Sequence, residues 1–465
     1  MKIKLSSHHL ITLAVVMVSI MNLPTPALGQ EPTLSGEAKA AMDEIAEDRI
    51  TETISFLASD EMGGRDTPSP ELKIASAYVA SRFRGSGLEG GGDEGSFFQY
   101  AEIATEKYPS NIVARIGNEQ LPHFGLLSSD GDELQTQGKV QTYEKGQDYT
   151  DQIVTMVAPE FSDRRAEFSF RQELGKVSRA AKLVLLQVPT DHSFVGQAQR
   201  KQQPSLIRTR GATMGTVLLV PEVSVDSAIS VSIPATVFGN ERVRNVIGVL
   251  PGSDSSLSEE AVIFSAHLDH IGQTSGSGDT VFNGADDDAT GVTAVLSLAD
   301  AFTALATPPK RTVIFMTFWG EEKGLLGSKH YAKNPTWPLE KVVANINLEM
   351  LGRPEGGAHH KCWMTGWNKS DLGKLMQQGA AKVGVEVFEH PRFSAMLYGA
   401  SDNASFVREG VIAHSFSAGS LHEDYHQLGD HWEKLELGHM TKVIRGIFAG
   451  SYPIANGKLT PSSQP

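Results

Sequence analysis

Two glutamates stand side by side after an apolar run, in the segment FWGEEKGLLGS at positions 318–328. Adjacent residues that leave a strand point in different directions, so Glu321 and Glu322 can serve different purposes. One carboxylate can bind a metal ion, while its neighbour takes a proton from water that the ion has made more acidic. The pair therefore predicts a hydrolytic site that combines a metal with a general base.

Other apolar runs also lead into residues that can bind a metal ion. AVIFSAH ends at His267 and is followed by Asp269, KVVANINLE ends at Glu349, and a later segment, HEDYH, ends at His426. Between the first two, the loop NGADDDATG (283–291) leads into a predicted helix. Histidine nitrogen with carboxylate oxygen suits zinc, whereas uncompensated acidic groups would raise one another's pKa values. These residues predict a site for two divalent cations, with zinc favoured.

The elements that would position these residues follow an α/β pattern. From Arg244 onwards, short apolar runs are typical of buried strands in a parallel sheet, and helical stretches such as 291–305 lie between them. The runs are RNVIGVLP, AVIFSAH, RTVIFMTFW and KVVANINLEM. We predict an α/β fold with a mostly parallel central sheet and helices on both faces. Ligands of such sheets bind at the carboxyl ends of the strands, where the predicted site residues stand.

Changes in the pattern of apolar and polar residues along the chain predict several segments. The region 107–240 contains two strand-like runs around a polar helical stretch, and it is interpreted as a smaller β-rich inserted domain. Helices are expected at 37–58 and 70–85, followed by a glycine-rich linker. The predicted organisation is a signal peptide at 1–29, the N-terminal part of the catalytic domain at 30–106, the insert at 107–240, the catalytic domain at 241–455 and a tail at 456–465.

The first residues have the pattern of an export signal. Lys2 and Lys4 precede the apolar run 10–21, and small residues follow it. The run is shorter than the roughly 20 residues that a membrane-spanning helix needs, which favours cleavage near Gly29/Gln30. The pattern predicts a secreted or periplasmic protein that has no membrane attachment after cleavage.

Charge and cysteine content limit the partners and the chemistry. The chain has 465 residues and a formal net charge of −14, so nucleic acid and anionic lipid are disfavoured as partners. Cys362 is the only cysteine, so no internal disulfide can form. We interpret it as a small buried apolar residue rather than a nucleophile.

In combination, five motifs resemble those of a known family. SAHLDH, GADDDATG, FWGEEKGLLGS, NINLEMLGR and DYHQLGD are similar to the motifs of the co-catalytic di-zinc exopeptidases. That family includes bacterial leucyl aminopeptidases, and its wider relatives include glutamate carboxypeptidase and the transferrin receptor ectodomain. The resemblance covers about 45–105 and 244–450, and the insert weakly resembles a protease-associated domain. It implies a zinc exopeptidase fold, two zinc ions and peptide substrates, and leaves the oligomeric state unknown.

The resemblance also implies a role for each site residue. The metal ligands would be His267, Asp287, Glu322, Glu349 and His426. Asp287 would bridge the two ions, and its neighbours Asp286 and Asp288 would either contact the ligands or be structural. Glu321 would be the general base, Asp269 the carboxylate that orients His267, and Tyr425 the hydroxyl that stabilises the oxyanion.

Two positions depart from the family's usual pattern. Glu349 stands where aspartate is usual, so its carboxylate is one methylene longer and can shift one metal or change its occupancy. Asn403 lies in SDNASF, where many relatives have S-D-H, so a contact with the substrate or with the residues around it would differ here.

A second zinc motif overlaps the predicted site. The segment HEDYH matches H-E-x-x-H, in which Glu423 would be the base, with both histidines on one face of a helix. Its flanks, AGS and LGD, lack helical apolar periodicity, so we predict that it is not a helix. This interpretation favours Glu321 as the base and assigns only His426 as a ligand, with His422 near the substrate.

Three alternatives to an aminopeptidase remain open. A carboxypeptidase of the same superfamily would need a basic anchor for the substrate carboxylate, and Arg353 and Arg392 are candidates. A glutaminyl cyclase, which uses one zinc, is disfavoured by the complete set of five ligands. A non-catalytic binding protein like the receptor ectodomain is disfavoured because no ligand or base is missing.

Overall fold

The structure is a computed structural model, and it describes residues 35–207, 214–274, 278–419 and 421–464. The predicted signal peptide lies outside these residues. None of the helices described has both the length and the apolar character that a membrane span requires.

The described helices α1–α11 are, in chain order, Gly36–Met42, Glu47–Leu57, Pro70–Gly85, Arg164–Ala180, Ser193–Arg200, Thr290–Thr303, Leu326–Lys333, Leu372–Ala380, Phe393–Met396, Asn403–Arg408 and Leu437–Ala455. The described strands β1–β18 are Glu89–Gly90, Phe98–Lys107, Val113–Ile116, Glu119–Gln120, Gly125–Ser128, Leu134–Thr142, Ile153–Val157, Leu183–Gln187, Ser205–Leu206, Val217–Val220, Ala228–Ile233, Val237–Leu250, Ala261–His267, Thr312–Phe318, Val342–Leu348, Lys361–Met364, Glu386–Phe388 and Ala413–Ser417.

A ten-stranded sheet carries the predicted site. Its order is β17-β16-β18-β15-β13-β14-β12-β2-β9, with β1 paired to β12. The neighbours β18, β15, β13 and β14 are all parallel, whereas β12, β2 and β9 form an antiparallel flank. The predicted α/β fold is confirmed, and its parallel centre is the part that presents the site residues.

The strand that contains RNVIGVLP was predicted to be parallel, and that prediction is wrong. It is the second half of β12, which pairs antiparallel with β14 on one side and with β2 on the other. Its buried apolar end resembles a parallel strand, but its first residues are largely exposed and extend as a ribbon beside β2. An apolar run indicates that a strand is buried, but it does not indicate whether the strand is parallel or antiparallel to its neighbours.

Apolar residues on the two faces of the sheet belong to different clusters. Val262 and Phe264 of β13 pack in the cluster that includes residues of α2, α3, α6 and α11. Ile263 points to the opposite face, where Tyr331 of α7 and Phe406 of α10 pack. This alternation is that of a strand buried on both sides. Helices on both faces of the sheet, as predicted, are therefore confirmed.

The two N-terminal helices predicted at 37–58 and 70–85 differ in outcome. The first is two helices, α1 and α2, with an intervening turn. Ser35 caps the start of α1, because its Oγ accepts from the N–H of Ala38 at 3.2 Å. The second prediction is confirmed as α3, which has Pro70 in its first turn and an Ser69 cap that accepts from the N–H of Leu72 at 3.0 Å.

A second sheet lies within the region predicted to be an insert. Its eight strands follow the order β4-β3-β11-β6-β7-β8-β10-β5, and apolar clusters cover it together with residues of α4 and α5. β9 lies within the predicted limits but joins the central sheet, and β12 spans the boundary at 240. The described residues form a single compact unit, so the independence of the insert stays a prediction.

A buried histidine on an interior strand of the central sheet makes stability sensitive to acid. His414 lies on β18, with Nδ1 2.6 Å from the main-chain oxygen of Thr365 and Nε2 2.7 Å from Ser370 Oγ. Burial lowers the pKa of His414 to about 4. The folded protein therefore disfavours protonation, and stability is lost as the pH falls from about 6.5 towards 4, by about 3 kcal/mol.

We expect His414→Gln to reduce this acid sensitivity, because an amide offers a donor and an acceptor without titrating. The variant should lose about 3 kcal/mol less free energy of unfolding between pH 6.5 and 4 than the unmodified protein does. Urea unfolding of both proteins across this range is the measurement. Equal losses in the two proteins would contradict the assignment of the proton uptake to His414.

Candidate metal centre

The site lies at the carboxyl edge of the parallel strands. β13 ends at His267, Glu349 directly follows β15, and Glu321 and Glu322 lie in the turn after β14. Because these strands are neighbours in the order β15-β13-β14, their ends bring the side chains together. Asp287 comes from the segment Ala285–Ala289 at the start of α6, and His426 from a turn after β18.

One group of donor atoms is formed by His267, Asp287 and Glu349. Nε2 of His267 lies 3.1 Å from Asp287 Oδ1 and 3.7 Å from Glu349 Oε2. The other ring nitrogen, Nδ1, lies 2.9 Å from the main-chain oxygen of Asp269, which directs Nε2 towards the carboxylates. Burial opposes charge on His267, but the carboxylates of Glu349 and Asp287 raise its pKa well above the usual value.

A second group shares Asp287 with the first. Nδ1 of His270 lies 2.9 Å from Glu322 Oε1 and 3.9 Å from Asp287 Oδ2. His426 joins them, since its Nε2 lies 3.0 Å from Asp287 Oδ2 and 3.2 Å from Glu322 Oε1. The two oxygens of Asp287 thus face different groups. The sequence predictions did not include His270, which follows His267 by three residues in the loop after β13.

The donor atoms fit divalent cations. Asp287 Oδ2, Glu322 Oε1 and His270 Nδ1 are buried and have no hydrogen-bond partner in the described part of the chain. An unpartnered buried polar atom costs about 1–3 kcal/mol, and more if it is charged, so three such atoms at one point fit the binding of a cation. Imidazole nitrogen and carboxylate oxygen are ligands that zinc accepts. The residues of both groups would hold such ions.

Glu321 lies beside the two groups and is held through its backbone. Its N–H donates to Asp269 Oδ1 at 3.0 Å, whereas the same oxygen is 3.9 Å from His267 Nδ1. The carboxylate of Asp269 therefore contacts the backbone of Glu321, and its main-chain oxygen contacts the imidazole of His267. Burial raises the pKa of Glu321 well above the usual value, with further contributions from Asp402 and Glu349. A raised pKa makes this carboxylate a stronger base, which suits a group that accepts a proton from water.

The aspartates on either side of Asp287 fix the surrounding backbone. Asp286 Oδ1 accepts from the N–H of Gly352 at 2.8 Å. Asp288 Oδ1 accepts from the N–H groups of Gly291 and Met350 at 3.0 and 3.2 Å. These contacts connect the loop before α6 to the end of β15, so that both ligand-bearing segments are held in register.

A buried arginine from the N-terminal region contacts the loops of the site. The guanidinium of Arg65 donates to the main-chain oxygens of Leu268, Asn283 and Gly284 at 2.9, 2.8 and 3.0 Å, and also to that of Leu57. Burial lowers its pKa to about 10, so it stays charged at neutral pH. The sequence around GGR (63–65) gives no local signal of this stabilising role.

The competing zinc motif is not helical, as predicted. Residues 423–426 form a turn, and Glu423 is exposed. Nε2 of His422 lies 3.2 Å from Asp286 Oδ2, outside both donor groups. Tyr425 stacks on the ring of His426, with centroids 4.0 Å apart, and burial raises the pKa of its hydroxyl, which therefore stays protonated.

A small cavity of about 90 Å³ adjoins the first donor group. His267, Asp287, Glu321, Glu349 and Tyr425 line its polar side. Trp363, Leu397 and Leu421 are among the apolar residues that line it. No lysine or arginine is among its described lining residues.

The two positions that depart from the family pattern are both hydrogen-bonded. Glu349 Oε1 accepts from Ser401 Oγ and from Asn347 Nδ2, the latter at 3.1 Å, which leaves Oε2 facing His267. Asn403 is buried, and its Oδ1 accepts from Ser415 Oγ at 3.0 Å. Hydrogen bonds from Ser401 and Asn347 therefore hold the longer side chain of Glu349 in place.

We expect Glu349→Asp to weaken cation binding although aspartate is usual in the related family. A shorter carboxylate cannot keep both the bonds to Ser401 and Asn347 and the approach to His267. Loss of such supporting bonds typically lowers metal affinity roughly 10- to 100-fold. Zinc titration against a competing chelator tests this, and unchanged affinity would show that the site closes around the shorter side chain.

The fold and the site together define the class of protein: an α/β protein with buried metal-ligand groups at the carboxyl edge of its sheet. Residues 245–450 match the family model of Peptidase family M28. The matched segment makes up less than half of the chain.

Curated proteins and solved structures give further similarities. The chain is 32% identical over 114 residues to Leupeptin-inactivating enzyme 1 of Streptomyces exfoliatus, which is 24% of each chain. It is 23% identical over 214 residues to Aminopeptidase YwaD of Bacillus subtilis, 44% of this chain and 42% of that protein. The alignments thus span less than half the length of these relatives.

Among solved structures, a zinc aminopeptidase from Bacillus subtilis, BSAP, has a TM-score of 0.56 at 17% identity. The match covers 88% of this chain and 95% of that one. An aminopeptidase from Aneurinibacillus sp. strain AM-1 has a TM-score of 0.54 at 18% identity and covers 92% and 96%. These likenesses concern the fold.

Proposed function

We propose that this protein is an exported zinc-dependent aminopeptidase that uses two cations. The observation that carries the proposal is the pair of donor groups that share Asp287, beside the buried carboxyl of Glu321. The match to the peptidase family model and the named activities of similar proteins support a metallo-exopeptidase acting on peptides. When bound, the cations would polarise a substrate carbonyl and make water easier to deprotonate.

The residues around the donor groups would perform hydrolysis as follows. Glu321 takes a proton from the attacking water and later gives it to the leaving amine, so the proton balance closes within one turnover. The Tyr425 hydroxyl donates a hydrogen bond to the oxyanion of the tetrahedral intermediate. Asp269 holds the backbone of Glu321 and, through its main-chain oxygen, the ring of His267.

The lining of the cavity favours attack at the amino end of a peptide. The charged lining of the cavity is acidic, which suits the positive amino end of a peptide, and the lining residues described include no basic anchor for a carboxylate. The two candidate anchors lie elsewhere: Arg353 is paired with Asp424 at 2.6 Å, and Arg392 is exposed beside the ring of Phe393. This observation favours an aminopeptidase over a carboxypeptidase.

Product analysis on matched peptides tests the proposal. Zinc-loaded protein is incubated with peptides that are unmodified, N-acetylated or amidated at the C-terminus. Release of single residues from the free amino end, blocked by acetylation, is expected. Release from the carboxyl end, blocked by amidation, would replace the proposal with a carboxypeptidase. No cleavage of any set, together with bound zinc, would favour a binding protein.

Export is a separate part of the proposal. It rests on the charged and apolar pattern of the first residues, which lie outside the described part of the chain. N-terminal sequencing of the protein recovered from the medium or periplasm of an expressing bacterium should give a start near Gln30. Intact Met1 in a cytoplasmic fraction would contradict export.

A further inference from the structure

We infer that His270 is a fourth protein ligand of the second cation, beside Asp287, Glu322 and His426. The inference rests on the proposed two-cation centre and adds a ligand that the family resemblance does not include. It begins with burial, since His270 is fully buried and neither of its ring nitrogens has a hydrogen-bond partner within the described residues. A buried imidazole left without partners is unfavourable, so its position requires another explanation.

The distances around Nδ1 of His270 explain its buried position by binding of a cation. This atom and Glu322 Oε1 are 2.9 Å apart, yet they are not aligned as a hydrogen bond, and both lack other partners among the residues described. Two donor atoms in this relation point towards a common third position rather than at each other. An imidazole whose only function was to orient Glu322 would instead be aligned to donate to it.

The four neighbouring atoms also have separations that suit one ion. Ligand atoms around a tetrahedral zinc, at bond lengths of about 2.0–2.2 Å, lie roughly 3.3 Å from one another. The separations are 2.9 and 3.9 Å from His270 Nδ1 to Glu322 and Asp287, and 3.0 and 3.2 Å from His426 Nε2 to Asp287 and Glu322. The four values lie on both sides of the tetrahedral spacing.

The surroundings of His270 hold its ring in place. The backbone N–H of His270 donates to the main-chain oxygen of Arg65 at 3.3 Å. Its ring packs so closely on Gly284 that a Cβ at Gly284 would lie 2.5 Å from His270 Cγ. Gly284 also has a φ of +58°, so a glycine suits this position for two reasons. The ring is therefore fixed with Nδ1 facing the donor group.

A fourth protein ligand makes the two cation sites unequal. The second site has four protein ligands, the number typical of a closed zinc site, whereas His267, Asp287 and Glu349 form a site with three. A three-ligand site keeps a position for water or substrate. We infer that the second site retains its cation more tightly and that the first site is the one open to the reaction.

The test uses two substitutions of His270 and a neighbouring control. His270→Leu removes the donor and keeps an apolar side chain, and His270→Asn keeps a neutral donor near the position of Nδ1. His422→Leu removes an imidazole that lies beside Asp286 and outside the donor groups. Circular dichroism and thermal melting of the metal-free proteins establish that each variant is folded.

Zinc affinity and histidine coordination are then measured without reference to activity. We expect His270→Leu to weaken binding of one zinc equivalent more than roughly 100-fold, beyond the range for loss of a supporting hydrogen bond. His422→Leu should keep both equivalents. In the cobalt-substituted protein, nuclear magnetic resonance should show three histidine rings with paramagnetically shifted signals, and His270→Asn should change one of them.

Failure of this inference differs from failure of the proposed function. If the unmodified protein binds two cations but shows only two shifted histidine rings, His270 is not a ligand and the inference is overturned. Unchanged affinity in a folded His270→Leu variant would overturn it as well. If the unmodified protein binds no zinc or cobalt, the proposed two-cation centre itself fails.

Discussion

Glu321→Gln is expected to lower the rate of peptide hydrolysis roughly 10²- to 10⁴-fold while zinc stays bound. The amide cannot accept the proton of the attacking water, but it has nearly the same size and leaves the N–H bond to Asp269 in place. Glu321 is not a member of either donor group, so cation affinity should change little. Turnover of a free peptide and zinc content of the same sample are the two measurements.

Glu423→Gln is the matched control for this experiment. It makes the same chemical change at the glutamate of the H-E-x-x-H match, which is exposed and lies in a turn. We expect its activity to stay close to that of the unmodified protein. If Glu423→Gln were inactive and Glu321→Gln active, the assignment of the base would be reversed.

The second large effect is expected for Asp287→Asn. Asp287 is the residue shared by both donor groups, with Oδ1 3.1 Å from His267 Nε2 and Oδ2 3.0 Å from His426 Nε2. Burial opposes its charge, but the neighbouring histidines His267 and His426 hold its pKa well below the usual value. A neutral amide has one oxygen acceptor instead of two, so it cannot bridge two cations. At least one zinc equivalent should be lost, and activity should fall by roughly 10³-fold or more.

Asp286→Asn separates loss of the shared ligand from a general disturbance of the loop. Its Oδ1 accepts from the N–H of Gly352, which an amide oxygen can also do. This variant should keep both zinc equivalents in a direct metal analysis. If both variants lost zinc equally, the charge of the loop rather than the position of Asp287 would explain the result.

Much of the site could be predicted because its residues stand directly after apolar runs in the sequence. The ends of apolar runs identified His267, Glu321 and Glu349, and parallel strands bring such ends to one edge. The absence of helical periodicity was sufficient to reject the H-E-x-x-H match. These inferences depend on local order along the chain, which a sequence displays directly.

Other features depend on contacts between distant segments, which no local pattern reports. The direction of β12 is set by its partners β2 and β14. His270 looks like an ordinary loop residue until Glu322 and Asp287 are placed beside it. Asp269 contacts His267 through its main-chain oxygen and Glu321 through its carboxylate, and these two contacts likewise appear only in three dimensions.

Arg65 limits how far the catalytic region can be treated as a transferable module. The family match begins at 245, yet this guanidinium, 180 residues earlier in the chain, supplies donors to the carbonyls of Leu268, Asn283 and Gly284. It is also a fixed positive charge close to Asp269, Asp287, Asp288 and Asp430. A fragment cut at the family boundary would lose both, and its acidic loops would repel one another. Protein engineering should therefore keep the matched segment together with the N-terminal region that contains Arg65.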